Sequence, residues 1–379
     1  MFVVPDERHG RLTARAAAFA AQFPTGPGPD RHGDFDRQAW RRCADYGLLR
    51  MPLPADGAPS GTSLCEIFAV LEGLGYGGLD EGLLFALGAH LWTIILAVRD
   101  HGTDKQRHLY LTSLADGTLI GANASTEPKA GSDVFALSTH ATRDGHHYVL
   151  NGTKTLITNA PIADLFIVYA TLDPTLGPMG ITPFLVNADT PGLNCGAPLD
   201  KMGLRTAPMG ELTLENCRVP AENVLGREGR GVKVFTSAME YERVGLLAPS
   251  LGIMRRHLEA CTAYARARHQ FGQRISQHQA VAHRIVDMRV RLDAARALVY
   301  RAAYLKDQGM PASQETAAAK LYVSEAYVQS SLDTMRIHGG QSYLTANGIE
   351  VDLRNAIGAL FYSGTSDIQR NIIARTLNL

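Results

Sequence analysis

The sequence lacks an excess of either charge and has few cysteines. Its 379 residues include 37 basic and 37 acidic side chains, for a formal net charge of zero. A nucleic-acid-binding protein usually has a basic surface, so this balance argues against that class. The five cysteines are odd in number and include no C-x-x-C pair. This favours reduced thiols in a cytoplasm over a disulfide framework or a zinc site, and no metal is expected.

The sequence also lacks a pattern typical of export or membrane insertion. The N-terminal MFVVPDERHG has no basic segment followed by an apolar one, so no signal peptide is expected. The most apolar run, residues 82–98, is short for a spanning helix and contains His90 and two glycines. We therefore expect it to be a buried helix of a cytoplasmic protein that has no membrane partner.

Three regions differ in the period of their apolar residues, and the length suits two or three domains of roughly 100–200 residues each. Up to about residue 117 the period is helical, and helices are predicted at residues 36–47, 63–76, 81–101 and 103–116. From there to residue 229, short apolar runs alternate with turn signals such as Asp144-Gly145 and Asn151-Gly152. Long helical stripes then return, broken at Gly309 and Pro311 and ended at Gly339-Gly340.

This order predicts an α+β fold with three domains. They are an N-terminal helical domain at residues 1–117, a central β-barrel or sandwich domain at 118–229 and a C-terminal four-helix bundle at 230–379. An architecture of this kind is compatible with many functions, so the function has to be argued from particular segments.

The segment ASTEPKAGSD, residues 124–133, lies where the helical region gives way to strands. Its hydroxyls and backbone amides suit the polar edge of a flat heterocycle, although a surface turn has the same composition. The segment resembles the T-E-P-x-A-G-S-D signature of the acyl-CoA dehydrogenase family. Further segments resemble family motifs in the family's order: TKTLITNA (153–160), KMGLR (201–205), CRVPAENVLG (217–226), RHQFGQRISQHQAV (268–281), RIHGGQSY (336–343) and YSGTSDIQRNIIAR (362–375).

The resemblance implies a cofactor and an assembly. Members of this family bind FAD non-covalently between the β domain and the bundle, and they form homotetramers or homodimers. By the resemblance, the residues that contact FAD are Asn123, Ser125, Thr126, Ser132, Ile157, Thr158, Gln279, Thr365 and Asp367. Those that reach the FAD of a neighbouring subunit are Arg268, Phe271, Arg336 and Gly340. Arginine suits the pyrophosphate because its planar guanidinium can form paired hydrogen bonds.

The resemblance also implies the reaction, which is α,β-dehydrogenation of an acyl thioester. A base removes the α-proton while FAD accepts the β-hydride. In many family members the base is the glutamate of Y-E-G-T, but Ser363 stands at that position here. A minority, including isovaleryl-type enzymes, have the glutamate on a bundle helix in the sequence L-E-R, which Glu242-Arg243 matches. We expect Glu242 to be the base, the alternative being a Glu-Arg pair on a solvated helix face, and Glu240 to lie on another face.

The substrate is expected to contact a small set of residues: Ser132, Arg243, Ser363 and Gly364. The backbone N–H of Ser363 is expected to polarise the thioester carbonyl. The combination of MEYER (239–243) with YSGTSDIQRN (362–371) is similar to dehydrogenases of bacterial secondary metabolism that act on carrier-protein-bound acyl or aminoacyl groups. The thioester is therefore expected on CoA or on a carrier protein. The electron acceptor is expected to be electron-transfer flavoprotein or O2, and Leu156 stands where the family often has Trp or Phe.

Two alternative functions share the same fold. A flavin monooxygenase or oxidase that activates O2 needs no carboxylate to remove an α-proton, and Ser363 is compatible with it, whereas Glu242-Arg243 argues against it. A non-catalytic acyl-binding scaffold would have degraded flavin motifs, yet T-E-P, G-S-D, G-G and G-T-S are intact.

Overall fold

The computed structural model describes residues 6–24, 30, 32–54 and 61–379. The first part is helical, and its helices are α1 (Glu7–Ala20), α2 (Arg37–Asp45), α3 (Leu64–Tyr76), α4 (Glu81–His101) and α5 (Asp104–Ala115). Polar side chains fix where these helices begin. Ser63 and Thr103, for example, each accept a hydrogen bond from a backbone N–H of the first turn, which would otherwise lack a partner.

Helix α4 is apolar because it lies inside the protein. It is long and apolar enough to cross a membrane, but 89% of its most apolar window is buried among other elements. The expectation of a buried core helix is therefore confirmed. Its segment Leu91–Ile95 is a π-helical turn, and Trp92 in that turn packs so closely on Gly245 that a Cβ there would lie 2.2 Å from the ring.

The middle of the chain forms one curled, open sheet of seven strands. They are β1 (Gly121–Ala124), β2 (His140–Asp144), β3 (His147–Thr158), β4 (Leu165–Thr171), β5 (Ile181–Asn187), β6 (Leu193–Cys195) and β7 (Met209–Pro220). The strand order is β1-β4-β2-β3-β7-β6, with β5 paired to β4. Side chains alternate along β4, so Ile167 and Tyr169 face the helices while Phe166 and Val168 face the core of the sheet.

One predicted turn in this sheet is confirmed and another is wrong. Asp144-Gly145 joins β2 to β3, as the sequence predicts. Asn151-Gly152 does not reverse the chain, because β3 continues through both residues with a register shift against β7. Gly152 is required there for close packing, since its φ is +153° and a Cβ would lie 2.4 Å from Thr139 Oγ1.

The last part of the chain is helical again and contains four long helices that pack together. They are α6 (Gly231–Gly245), α7 (Ala248–Ala267), α8 (Gln279–Asp307) and α9 (Ser313–His338), followed by the shorter α10 (Ile349–Gly358) and α11 (Ser366–Thr376). The sequence predicts that α8 ends before Gly309. It does not predict helix α10, which has only two buried residues. The order of helices, sheet and helices is that of the predicted fold, and the domain limits at residues 117 and 229 stay a prediction.

Candidate active site

The carboxyl group of Glu242 lies where α6 meets the sheet and the segment 362–365. Two tyrosines define this position, Tyr169 on β4 and Tyr362 after α10. Burial raises the pKa of each phenol, and the nearby Glu242 carboxylate raises both pKa values further. Glu242 therefore has the sheet on one side and the segment after α10 on the other.

The environment of Glu242 makes its carboxyl a stronger base than an exposed glutamate. Burial raises its pKa from 4.5 to about 7, while the Ser363 hydroxyl and Arg243 oppose this shift. A group with a pKa near the working pH is well suited to accept a proton, because it is both ionised and basic. Desolvation is the main cause of the shift, which is the pattern expected of a functional carboxyl group.

The neighbours of Glu242 on α6 face different surroundings. Arg243 is 9% exposed, and its Nε is buried without a hydrogen-bond partner, so Glu242-Arg243 is not on a solvated helix face. Glu240 lies on another face, where its carboxylate accepts a hydrogen bond of 2.8 Å from Lys306 Nζ. Glu240 is therefore already paired and directed away from the site.

The segment after Tyr362 is held in an unusual backbone conformation. Ser363 has a φ of +54° and Gly364 a φ of +89°. The buried Gln369 side chain fixes this turn, because its Nε2 donates to the carbonyls of both residues at 3.1 and 2.9 Å. Thr365 Oγ1 accepts from Ile368 N at 3.3 Å and begins α11. Within the described chain the Ser363 N–H donates to no group, whereas the buried Ser363 hydroxyl lies against the Glu242 carboxyl and lowers the pKa of that group.

The loop 124–133 lies against β3, so two segments that the sequence predicts to bind a flavin are adjacent. The Thr155 N–H donates to the Thr126 carbonyl at 3.0 Å. Buried Glu127 ties the loop down further, because its carboxylate accepts from Lys154 Nζ at 2.8 Å and from Ser138 and Thr139. Sequence reasoning missed Glu127 and Lys154 as a pair, since 27 residues separate them and no local pattern connects them.

The pairing of strands brings further polar atoms to the same face. Asn123 on β1 is in register with Ile167 on β4, so it shares a face with Tyr169. The Asn123 Oδ1 and the Tyr169 hydroxyl are both buried without a hydrogen-bond partner in the described structure. These two atoms form an unsatisfied polar lining on the sheet face near Glu242, which fits the hydrogen-bonding edge of a flavin ring.

Other predicted cofactor residues differ in exposure. Thr158 is half-buried at the end of β3, and the side chain of Ile157 packs in the core of the sheet, so only its backbone can face a ligand. Ser125 is buried and Ser132 is exposed. Asp367 is exposed and paired with Arg370 at 2.8 Å.

A second set of predicted cofactor residues lies at the far end of the bundle. These residues are exposed on the end of α7, the start of α8 and the end of α9: Arg268, Phe271, Gln279, Arg336 and Gly340. Glu325 on α9 accepts a hydrogen bond from Ser366 at 2.8 Å, so the middle of α9 lies beside the start of α11. Arg336 follows eleven residues later along the same helix, which is about 16 Å at 1.5 Å per residue. The structure thus divides the predicted cofactor residues into two separate groups.

An open cleft of ≈ 530 Å³ runs beside the first three turns of α6. It is lined by Pro178, Met179, Gly229, Arg230, Val232, Lys233, Thr236, Ser237 and Glu240. Arg230 and Lys233 are both solvent-exposed, and neither forms an ion pair with another described residue. The cleft is therefore a basic channel on the face of α6 that carries Glu240, and Glu242 lies on a different face of the same helix.

Comparison with known families gives one consistent result along the chain. Residues 6–118 match "Acyl-CoA dehydrogenase, N-terminal domain", residues 122–217 match the middle domain and residues 229–378 match the C-terminal domain of the same name. Together these matches cover Glu242 and both of the segments that the sequence predicts to bind a flavin.

Relatives of similar length support the same grouping. The L-prolyl-(peptidyl-carrier protein) dehydrogenase of Pseudomonas fluorescens is 41% identical over 376 residues, which cover 99% of each chain. Mitochondrial isovaleryl-CoA dehydrogenase of Pongo abelii is 36% identical over 98% of this chain and 89% of its own. Among solved structures, the prolyl acyl carrier protein oxidase AnaB is 43% identical with a TM-score of 0.96, covering 99% of this chain and 100% of its own. PigA with FAD and proline is 36% identical with a TM-score of 0.96 over the whole of both chains.

Proposed function

Because this chain belongs to the acyl-CoA dehydrogenase family and is an FAD-dependent dehydrogenase of acyl thioesters, we propose that Glu242 is its catalytic base. The observation that carries this proposal is the burial of a carboxyl group whose pKa is raised to about 7 between the sheet and the segment 362–365. The loss of glutamate at Ser363 and its presence on α6 support the same assignment.

The proposed mechanism uses two groups of this chain together with bound FAD. The Glu242 carboxylate takes the α-proton of the thioester, and the electron pair of the broken C–H bond becomes the α,β double bond. Bound FAD supplies the acceptor for the hydride that leaves the β-carbon. The unpartnered N–H of Ser363 donates to the thioester oxygen, where negative charge develops as the α-proton leaves.

Burial of the site contributes to this chemistry. Arg243 lies beside Glu242 and is also buried, so it favours the ionised form of the base without exposing it to water. A hydrogen-bond donor such as the Ser363 N–H acts more strongly in a site from which water is excluded. The backbone conformation that directs this N–H is held by Gln369, so serine replaces glutamate here without loss of the donor.

We propose that the substrate is an aminoacyl group, with prolyl as the first candidate, on the phosphopantetheine arm of a carrier protein. Two relatives, at 41% and 40% identity, are described as L-prolyl-carrier-protein dehydrogenases. The basic channel beside α6 suits the phosphate of that arm, since Arg230 and Lys233 have no acidic partner in the described structure. CoA contains the same arm, so an acyl-CoA is the other substrate class to test.

We further propose that the enzyme is a cytoplasmic homotetramer, with a homodimer as the smaller assembly. The separation of Arg268 and Arg336 from the site around Glu242 supports an arrangement in which they reach the FAD of a neighbouring subunit. The proposed electron acceptor is electron-transfer flavoprotein or O2, and the rate at which each reoxidises the reduced enzyme discriminates between them.

Anaerobic flavin bleaching tests the proposed function directly. Purified holoenzyme is mixed with acyl-CoAs and with acyl and aminoacyl carrier proteins, and we expect bleaching by L-prolyl carrier protein. Glu242→Gln should retain FAD and substrate binding but reduce flavin about 10²- to 10⁴-fold more slowly, which is the usual contribution of a general base.

Glu215→Gln is the matched control, since it makes the same change on an exposed glutamate of β7 that does not line the basic channel. Bleaching at the wild-type rate in Glu242→Gln would remove Glu242 from the base position. Bleaching by acyl-CoAs alone would assign the other substrate class.

A further inference from the structure

Two exposed apolar side chains lie beside the basic channel. Leu176 is 50% exposed and Met179 is 72% exposed, and both belong to the loop 174–180 between β4 and β5. Met179 lines the channel, whereas Leu176, three residues before it, does not. Exposed apolar side chains that are surrounded by polar groups often mark a surface for another protein. The loop therefore presents apolar surface both in the channel and outside it.

The loop 174–180 is held in one shape by contacts at its two ends. The Leu172 N–H donates to the Gly180 carbonyl at 2.9 Å, which closes the loop. Gly180 packs so tightly that a Cβ there would lie 2.3 Å from the Asp173 carbonyl oxygen. Two prolines within the loop also restrict its backbone. A surface that is already ordered loses little conformational entropy when a partner binds to it.

The turn before α6 packs against this loop and carries positive charge. Gly229 lies so close to the loop that a Cβ would be 2.6 Å from the Met179 carbonyl oxygen. Arg227, two residues earlier, is exposed and lies outside the channel lining. Like Arg230 and Lys233 in the channel, it pairs with no acidic group of the described residues. The turn and the loop thus form one continuous surface with apolar and cationic side chains.

The acidic groups of the same surface leave it with an excess of positive charge. Glu228 pairs with Arg143 at 3.4 Å, and Glu240 pairs with Lys306 at 2.8 Å. Asp173, at the start of the loop, accepts hydrogen bonds from the loop itself and pairs with no cation of the described residues. Against this one acidic group stand the three unpaired cations of the turn and the channel. A partner with complementary charge is therefore acidic.

We propose that the loop 174–180 and the turn before α6 form the docking surface for an acidic carrier protein. This inference rests on the proposed function, because the arm in the channel is attached to that protein. The channel is open along α6, so the protein that bears the arm lies against the surface next to the opening. Its acidic side chains pair with Arg227, and its apolar side chains cover Leu176. An arm without a protein makes neither contact.

Leu176→Asp tests this surface without changing the channel. A carboxylate there removes an apolar contact and repels an acidic partner, so kcat/KM of anaerobic flavin reduction by L-prolyl carrier protein should fall about tenfold. The value for L-prolyl phosphopantetheine, which has the arm and its phosphate but no protein, should stay at that of the wild type. Leu109→Asp, the same change at a 59% exposed position on α5, is the matched control and should alter neither value.

Arg227→Glu adds a second readout, which is the dependence on salt. Reversing one exposed charge should lower kcat/KM for the carrier protein and make it less sensitive to salt, with no effect on the arm alone. Equal losses with both thioesters, or wild-type values of both variants with the carrier protein, would overturn the docking surface and leave the dehydrogenase assignment intact. If acyl-CoAs alone bleached the flavin, the proposed substrate class would fail, and the inference with it. If no thioester bleached the flavin, the proposed function itself would fail.

Discussion

At the scale of single residues, two differences from the commoner pattern of the family belong together. Ser363 stands where many relatives have a glutamate, and Glu242 supplies a carboxyl from α6 instead. Burial raises the pKa of Glu242, and the hydroxyl of Ser363 lies close enough to oppose that shift. A different element can therefore carry the base, if its carboxyl group reaches the same position in the site and is desolvated there.

The pH dependence of flavin reduction follows from this environment. Glu242 must be ionised to accept a proton, so kcat/KM for the reductive half-reaction should rise with pH up to about 7, the pKa to which burial raises the group, and then level off. Below that value it should fall about tenfold per pH unit. Stopped-flow measurements from pH 5 to 9 would show this, and an acid limb near pH 4.5 would contradict it.

At the scale of elements, α6 carries two different functions. Its first turns line the basic channel through Arg230 and Lys233, and its last turn presents Glu242. Close packing of Gly245 on Trp92 fixes the depth of this last turn against α4. One rigid helix thus sets the distance between the channel and the base.

The double variant Arg230→Ala, Lys233→Ala tests the channel. Losing two exposed cations of the channel should raise KM for carrier-protein or CoA thioesters about tenfold and leave kcat nearly unchanged, since these contacts are equal in ground and transition states. Steady-state kinetics at two salt concentrations would measure it, and the variant should be less sensitive to salt. A fall in kcat at constant KM would argue against a role in binding the arm.

The loop 124–139 depends on one buried ion pair. Glu127→Gln removes the partner of Lys154, whose side chain is 0% exposed. Breaking a buried pair usually costs about 3–5 kcal/mol, so Tm should fall and FAD should dissociate faster. Lys129→Ala, an exposed change in the same loop, is the control. Unchanged Tm and FAD retention in Glu127→Gln would show that the pair does not hold the loop.

The same pair has a defined pH window. Although burial opposes it, Lys154 with the Ser138 and Thr139 hydroxyls lowers the pKa of Glu127 from 4.5 to about 2. Because the folded value lies below the ordinary one, the stabilisation is present above about pH 4.5 and is lost as the pH falls toward 2. The difference in Tm between wild type and Glu127→Gln should therefore shrink below pH 4.5.

At the scale of the whole molecule, the two groups of predicted cofactor residues lie apart in one subunit, and under the proposed assembly a second subunit brings them together. Phe271 is 94% exposed and has a φ of +52°, which is uncommon for a bulky residue. We expect Phe271→Asp to shift the assembly toward smaller species and to weaken FAD binding, because a charge would be buried at the contact. Sedimentation velocity and FAD titration measure the two effects. Leu109→Asp, at a 59% exposed position on α5, is the control, and an unchanged oligomer in Phe271→Asp would exclude this contact.

Much of the architecture is determined by local sequence. Capping residues such as Ser63 and Thr103, apolar periods and turn pairs such as Asp144-Gly145 fix helices and strands through contacts between neighbours in the chain. Asn151-Gly152 misleads because the same residues also suit a strand that packs closely on Thr139. The resemblance of the motifs to a known family identified the candidate base as well, since the sequence contains both the serine at 363 and the glutamate at 242.

The properties of the site, in contrast, were decided by tertiary structure. The raised pKa of Glu242 and the pairing of Glu127 with Lys154 both depend on burial and on neighbours from distant parts of the chain. A sequence states which groups are present but not how much water surrounds them. Desolvation governs the strength of charges and hydrogen bonds, and only the packing of α4, α6, the sheet and the segment 362–365 sets it here.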